Sequence, residues 1–414
     1  MAEMNWAGNL TYRAGTVHKP ATLDELRRIV AKAAHIRPLG TRHCFNDIAD
    51  SDELVSLAEM ASPIDVDTET MTVTVGGGVR YGELARELVR HDMALHAMAS
   101  LPHISVAGAI ATATHGSGDA CGNLATVVSA LEMVGSEGDI IRVERSDDNF
   151  AGMVVGLGAL GVVTRVTLDV LPGYMVRQDV FVDLPWETLF ARFDDVTSAA
   201  ESVSLFTDYG ETVNQVWLKR RIGTDESTGP LDDFMGAIPA TESLHPATGA
   251  YSGAVTEQMG VPGLWCDRLP HFRLDATPSS GDEVQSEYFV LREHAVAALT
   301  ALRGLADRIQ PLLQVSEIRT IAADDQWMSM AYGQDSVAMH FTWKPDEAAV
   351  REVLPAIEDA LAPFSPRPHW GKVFVATAKE LDPRYPRMDD FRALALRLDP
   401  REVFRNRWYD RVIG

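Results

Sequence analysis

A few stretches of the chain hold side chains whose types and spacing can do chemistry. The loop Gly40-Thr41-Arg42-His43-Cys44-Phe45-Asn46-Asp47 sets a histidine beside a cysteine just after the apolar run IRPLG. Neighbouring side chains of an extended segment point to opposite sides, and no second Cys or His stands at ligand spacing, which argues against zinc. A reactive Cys44 needs positive neighbours, and Arg42 and His43 supply some, but packing under the loop is the better reading of that thiol. On residue physics alone, His43 is a histidine that hydrogen-bonds within a turn. In LLQVSEIRTIAAD, Glu317 and Arg319 stand two apart, as do His340 and Thr342 in VAMHFTW, so on strands each pair leaves one face. Such pairs are either structural ion pairs or the lining of a polar pocket, and spacing leaves the two readings even. GLGALG, from Gly156 to Gly161, fits the G-x-G-x-x-G dinucleotide pattern. It runs into the strand-like VVTRVTLDV where that pattern needs a helix N-terminus for a pyrophosphate, so no Rossmann site is expected.

The elements that must position these residues fall into two blocks, as a length of 414 residues predicts for more than one core. In the first block, Thr22 and Glu25 form a capping box before the helix LDELRRIVAKAA, which feeds the strand IRPLG. IDVD and MTVTV alternate around DTET as a hairpin, and YGELARELVRHDM has helical spacing. ALHAMASLPHISVAGAIATATHGSG is small, apolar and nearly uncharged, which predicts burial or contact with a ligand. LATVVSALEMV, DIIRVER and GLGALGVVTRVTLDVLPGY complete the block. In the second block SVSLFTDYG, VNQVWLKRR, QSEYFVL, LLQVSEIRTI and VAMHFTW read as strands, and REHAVAALTALRGLADRI and DEAAVREVLPAIEDALAPF as helices. That mixture predicts an antiparallel sheet covered on one side, an α+β arrangement. Residues 222–278, rich in Gly, Pro, Ser and Thr, stay unassigned, and the tail with MDDFRALALRLDP is expected to return to the first block.

Charge and composition exclude several partners. A formal net charge of -22 leaves no broad basic face for nucleic acid or an anionic membrane. The N-terminal stretch lacks a basic region followed by an apolar one, and no apolar run approaches bilayer length. Cys44, Cys121 and Cys266 are odd in number and far apart, which fits a reducing compartment, so a cytoplasmic protein is expected.

GTRHCFND, taken with NWAGN, VGGGVRYGELA, MASLPHISVAG, ATATHGSG, GLGALGVV, SEIRT, HFTW and RPHWGKVF in this order, resembles the vanillyl-alcohol oxidase type of FAD-linked oxidoreductase. Within that type it is similar to the bacterial alditol (xylitol) oxidases, nearly end to end. The resemblance implies a two-lobed FAD-binding domain over residues 1–173, a substrate-binding α+β cap domain with a large antiparallel sheet over 174–374, and a C-terminal segment, 375–414, returning to the first. It implies FAD covalently attached through His43, its pyrophosphate cradled by the backbone of Pro38, Leu39, Gly40, Thr41, Arg42 and Cys44. Ser100, Ser105, Gly108, Thr112, Thr114, His115 and Val163 match further FAD-contacting positions. Two residues depart from the familiar loop: Arg42 stands where glycine is common and Cys44 where serine is common. Arg42 narrows the backbone options there, and Cys44 loses a hydroxyl.

The same resemblance makes Ser100, Glu317, Arg319, His340, Thr342 and Lys372 of HWGKVF the lining of a polyol pocket. The implied reaction moves a hydride from the C1 carbon of the alditol to the flavin while the hydroxyl loses a proton, with dioxygen reduced to hydrogen peroxide. Developing alkoxide calls for cationic donors, a role that falls to Arg319 and Lys372 as the catalytic pair. Glu317, Thr342 and Ser100 would read the hydroxyls, with His340 at the rim. The expected partners are a small polyol and dioxygen, without nucleic acid, membrane or metal, acting on a monomer. An aldonolactone oxidase or dehydrogenase and a sugar-binding relative without flavin are the alternatives.

Overall fold

A computed structural model describes residues 3–223, 231, 233–276, 281 and 283–414. Thr22 opens the first helix, Leu23–Lys32, by accepting from the Glu25 N–H at 3.2 Å, and the Glu25 carboxylate accepts from the Ala21 N–H at 2.9 Å. The reciprocal contact therefore closes one residue further upstream than the capping box predicts. The helix buries Leu26 and Val30 in a cluster that includes Ile36, Val134, Val162 and Phe404. Ile36–Pro38, the strand of IRPLG, lies in a parallel three-stranded sheet with Glu53–Val55 and Thr16–His18.

The hairpin pairs Ile64–Asp67 antiparallel with Thr72–Gly76, on the turn side expected from DTET. Thr72–Gly76 then joins Val162–Asp169, Val128–Val134 and Ile140–Glu144 in a five-stranded antiparallel sheet. These two sheets correspond to the two lobes that the resemblance implies for the first block. The GLGALG segment leads into the strand Val162–Asp169 rather than a helix, as read from its neighbours.

Among the described residues the large sheet has nine strands, all paired antiparallel. Its middle runs Ser202–Thr207, Leu313–Ile321, Ser336–Trp343, Val284–Leu291, so the two strands carrying the predicted polar pairs are neighbours. The helices Ala295–Arg303 and Glu347–Leu361 pack on each other beside it. The first ends at Gly304 and a separate turn, Ala306–Ile309, follows, so the single helix read into REHAVAALTALRGLADRI is broken. One long strand, Met175–Pro185, goes unread in the sequence. Its alternation is masked because Arg177 and Asp179 are both buried, paired with each other at 2.6 Å. Within 222–278, residues 224–230, 232, 277 and 278 lie outside the described residues. The rest holds short pieces such as Ile238–Pro239 and Gly263–Leu264, both paired with Met175–Pro185.

The blocks are stitched where their loops meet. The Gly118 N–H donates to Thr320 O at 2.9 Å, joining THGSG to SEIRT, and the N–H groups of His271 and Phe272 both donate to Ser100 O at 3.2 Å. Arg37, fully buried, donates to Ile48 O, Leu157 O and Phe404 O, which pegs the tail to the first lobe. Among the described residues no helix is long and apolar enough to cross a membrane.

Candidate active site

A cavity of about 770 Å³ lies between the lobes and the large sheet. The loop from Pro38 to Cys44 forms part of its wall, with Ser100, Ser105, Gly108, Thr112, Thr114 and His115 from the apolar stretch, and Val163. Glu317, Arg319, His340, Thr342 and Lys372 border the same space. All the site residues singled out in the sequence thus share one cavity, as do Gly156, Leu157, Gly158, Leu160 and Gly161 of GLGALG, which the sequence reading had set aside.

The His43 loop is held from both ends of the chain. Trp6 N–H donates to Arg42 O at 2.8 Å, and the side chains of Asn5 and Asn9 donate to Cys44 O and Phe45 O at 3.0 and 2.9 Å. From the other side Phe45 N–H donates to Gly371 O, and Asn46 Nδ2 donates to Trp370 O and Lys372 O. NWAGN and HWGKVF are therefore clamps on one loop. Trp6 stacks on His43 with ring centroids 5.1 Å apart, which sets the imidazole plane. Burial, helped by nearby His103, lowers His43 to about 4, so its ring is neutral at ordinary pH. Arg42 has φ of 65°, the left-handed region where a side chain costs about 1 kcal/mol or more, so glycine would be the unstrained residue here. Cys44 packs against Gly371, and burial pushes its thiol up to about 11, which makes it an un-ionised packing group.

The wall opposite is built by strand register. Glu317 stands directly across from His340, and His340 across from Glu287, so three adjacent strands present one row on one face. Two residues to one side of that row stands Arg319, across from Ala338, and two residues to the other side stand Thr342 and Gln285, across from each other. Glu287, which the sequence reading did not single out, is the hub: it accepts from Arg319 at 2.6 Å and from Lys372 Nζ at 2.7 Å. Its Oε1 also lies 3.2 Å from His115 Nε2. Burial pushes this carboxyl up, but Lys372, Arg319 and His115 outweigh burial and hold it well below the usual carboxylate range. The signal was available, because Gln285 and Glu287 in QSEYFVL have the same two-residue spacing as Glu317 and Arg319.

Proton positions follow from the donors. Lys372 has only donors to offer, so it donates to His340 Nδ1 at 2.6 Å, which leaves Nε2–H to donate to Thr342 Oγ1 at 3.0 Å. The Thr342 hydroxyl proton then remains for a ligand. Burial, followed by the charge of Lys372, lowers His340 to about 4, and burial lowers Lys372 against the pull of Glu287.

The site fits a bound cofactor. His43 Nδ1 and Arg319 Nε are buried cavity atoms without a hydrogen-bond partner among the described residues. Small residues keep the cradle open: a Cβ at position 40 or 108 would lie 2.6 or 2.7 Å from Ser105 Oγ. The cavity is also in the range of about 300–1,000 Å³ usual for ligand sites.

Comparison with known proteins agrees with this geometry. Residues 15–144 match the FAD binding domain family model and residues 281–412 that of D-arabinono-1,4-lactone oxidase. An alditol oxidase from Streptomyces sp. is 51% identical over 410 residues, 98% of this chain and 97% of that protein. The L-gulono-1,4-lactone dehydrogenase of Mycobacterium tuberculosis is 30% identical over 433 residues, 99% of this chain and 98% of the other. A cholesterol oxidase structure from B. sterolicum superimposes with a TM-score of 0.79 over 100% of this chain and 96% of its own, at 18% identity, which establishes the fold alone. With half its residues shared across nearly its whole length with the Streptomyces protein, the chain belongs to the alditol oxidase family of vanillyl-alcohol oxidase type FAD-linked oxidoreductases.

Proposed function

We propose that this enzyme oxidises the terminal primary alcohol of an alditol to the aldose, with dioxygen reduced to hydrogen peroxide. The observation that carries the reading is the polar row Glu317, His340, Glu287 with Arg319 and Lys372, facing the same cavity as the Pro38 to Cys44 loop. A wall of alternating acceptors and donors suits a chain of hydroxyls, and it rejects analogues that leave its buried groups unpaired. Residues 1–173 would hold the flavin, 174–374 the polyol, and 375–414 brace the first part, as the Arg37 contact to Phe404 supports. A cytoplasmic location is supported by the three thiols, all unpaired.

When bound, FAD supplies the hydride acceptor and the route of electrons to dioxygen. The chain supplies the rest. Ser100, Glu317 and Thr342 orient the hydroxyls. Arg319 and Lys372 place positive charge on the reacting oxygen as it loses its proton. Both act in their charged forms, as donors that lower the pKa of the hydroxyl, and His340 at about 4 is too weak a base to take its proton. His43 is the proposed covalent anchor: it is neutral, half-buried, stacked on Trp6 and has a buried, uncommitted Nδ1. His43→Ala should lose all flavin from the polypeptide on acid precipitation, while Cys44→Ser keeps it; acid-stable yellow colour in His43→Ala would remove the assignment.

The lactone reading draws on the match of residues 281–412 and the 30% identical dehydrogenase. Peroxide release separates the two: xylitol or sorbitol should outpace gulono- or galactono-lactone by at least about tenfold in kcat/KM. A preference for lactone would reverse the substrate assignment.

A further inference from the structure

Behind Glu317, away from the Glu287 hub, lies a second chain of buried polar groups. His271 Nε2 stands 2.8 Å from Glu317 Oε1, and His271 Nδ1 stands 3.1 Å from Lys219 Nζ. Lys219 is almost wholly buried, and its other two contacts are the carbonyls of Leu269 at 2.6 Å and Pro270 at 3.0 Å. An ammonium has three N–H donors, and three acceptors surround this one. The direction of the chain is therefore determined: Lys219 donates to Nδ1, so the neutral imidazole carries its proton on Nε2 and donates to Glu317.

The surroundings hold that geometry. His271 sits edge-on to Phe206 and Trp217, with ring centroids 5.5 and 5.2 Å away, and its N–H is tied to Ser100 O. Glu317 Oε1 is thus committed to His271, and Oε2 is left between Arg319 Nε at 3.6 Å and the cavity.

We propose that Lys219 and His271 are positioning residues for substrate: a relay that turns Glu317 so that one carboxylate oxygen is spent on His271 and the other accepts a polyol hydroxyl. The inference rests on Glu317 being a polyol ligand, as proposed above. It adds a consequence. If Lys219 loses its proton, its nitrogen becomes an acceptor, His271 shifts its proton to Nδ1, and the bare Nε2 faces the carboxylate. Glu317 is then repelled from its working position.

The groups that set this titration can be named. Glu317 faces Lys219 from the strand Leu313–Ile321 and His271 from the segment after Trp265, while the flanking strands present neutral Ser202 and Gln178. Burial lowers Lys219 to about 7, with Glu317 pulling the other way, and burial lowers His271 to about 4. The relay is intact between about pH 4, below which His271 gains a second ring proton, and about pH 7, above which Lys219 loses its own.

Anaerobic reduction of the holoenzyme by xylitol gives both a substrate Kd and a limiting rate. In the wild type, Kd should rise about tenfold from pH 6 to pH 8.5, the size of one weakened charged hydrogen bond, while the limiting rate does not fall with it. Lys219→Met should bind about tenfold more weakly at pH 6 and show no further rise. His271→Leu should behave alike, and His271→Gln, which keeps an N–H toward Glu317, should stay within about threefold of wild type at pH 6. Ring-nitrogen NMR should show His271 protonated on Nε2 at pH 6 and on Nδ1 at pH 8.5. A wild-type Kd and pH profile in Lys219→Met, or an Nδ1–H tautomer at pH 6, overturns the relay. Should Lys219→Met or His271→Leu fail to fold, the NMR tautomer and His271→Gln still decide. Glu317→Gln separates the premise: an unchanged Kd there rejects Glu317 as a ligand, whereas a raised Kd beside an unaffected Lys219→Met rejects the relay alone.

Discussion

Arg319→Met is expected to lower kcat/KM for an alditol by about 10³-fold, mostly in the limiting rate of flavin reduction, because the lost guanidinium acts on charge that develops in the transition state. Arg319 is also one of two cations balancing Glu287, through a 2.6 Å contact. Its removal makes the wall more negative where the reacting oxygen gains negative charge, so two effects add. Burial opposes the charge on Arg319, but Glu317 and Glu287 outweigh it and raise its pKa, so the group stays protonated at any working pH. Arg319→Lys should recover part of the rate and not all, since a point charge cannot face both carboxylates as a planar fork does. Stopped-flow reduction decides the matter. A loss in Arg319→Met smaller than about tenfold would remove Arg319 from the reacting oxygen.

The second large effect falls on stability. Glu287→Gln should destabilise the fold by about 3–5 kcal/mol, because Lys372 would remain buried without its counter-ion and Arg319 would keep only Glu317, at 3.6 Å. Denaturant titration of the holoenzyme measures it. The pH dependence carries the same sign: the Glu287 carboxyl is held well below its ordinary range in the folded protein. Its contribution is therefore complete above the unfolded value of about 4.3 and is lost as pH falls through the lower folded value. Wild type should lose stability in that acid window and Glu287→Gln should lack this part of the loss. Equal acid profiles would mean that the carboxylate is not the hub its contacts suggest.

Much of the site was legible. The spacing of Glu317 with Arg319 and of His340 with Thr342 determines a shared face wherever each segment is a strand, because side chains alternate strictly along the pleat. The strands Leu313–Ile321 and Ser336–Trp343 carry them as read. Motif order alone pointed to the family, and the break between GLGALG and any helix excluded a Rossmann turn. Arg42 was marked as an odd residue for a loop that favours glycine, and its φ of 65° is the physical form of that oddity.

What the sequence by itself determined, then, is which residues share a face, where the helices and hairpin begin, and which loop has unusual backbone demands, since these depend on near neighbours. Tertiary structure alone decided which faces meet. The row Glu317, His340, Glu287 requires the register of three strands whose members lie far apart in the chain, and nothing local encodes that pairing. Lys219 and His271 reach Glu317 only because the chain after Trp265 folds back over Phe206 and Trp217. His43 faces a cavity rather than solvent because Asn5, Asn9 and Gly371, from the two ends of the chain, grip its loop. Long-range contacts of this kind convert ordinary strand and turn residues into a site, and the free energies that set their protonation arise only once burial and counter-charges are in place.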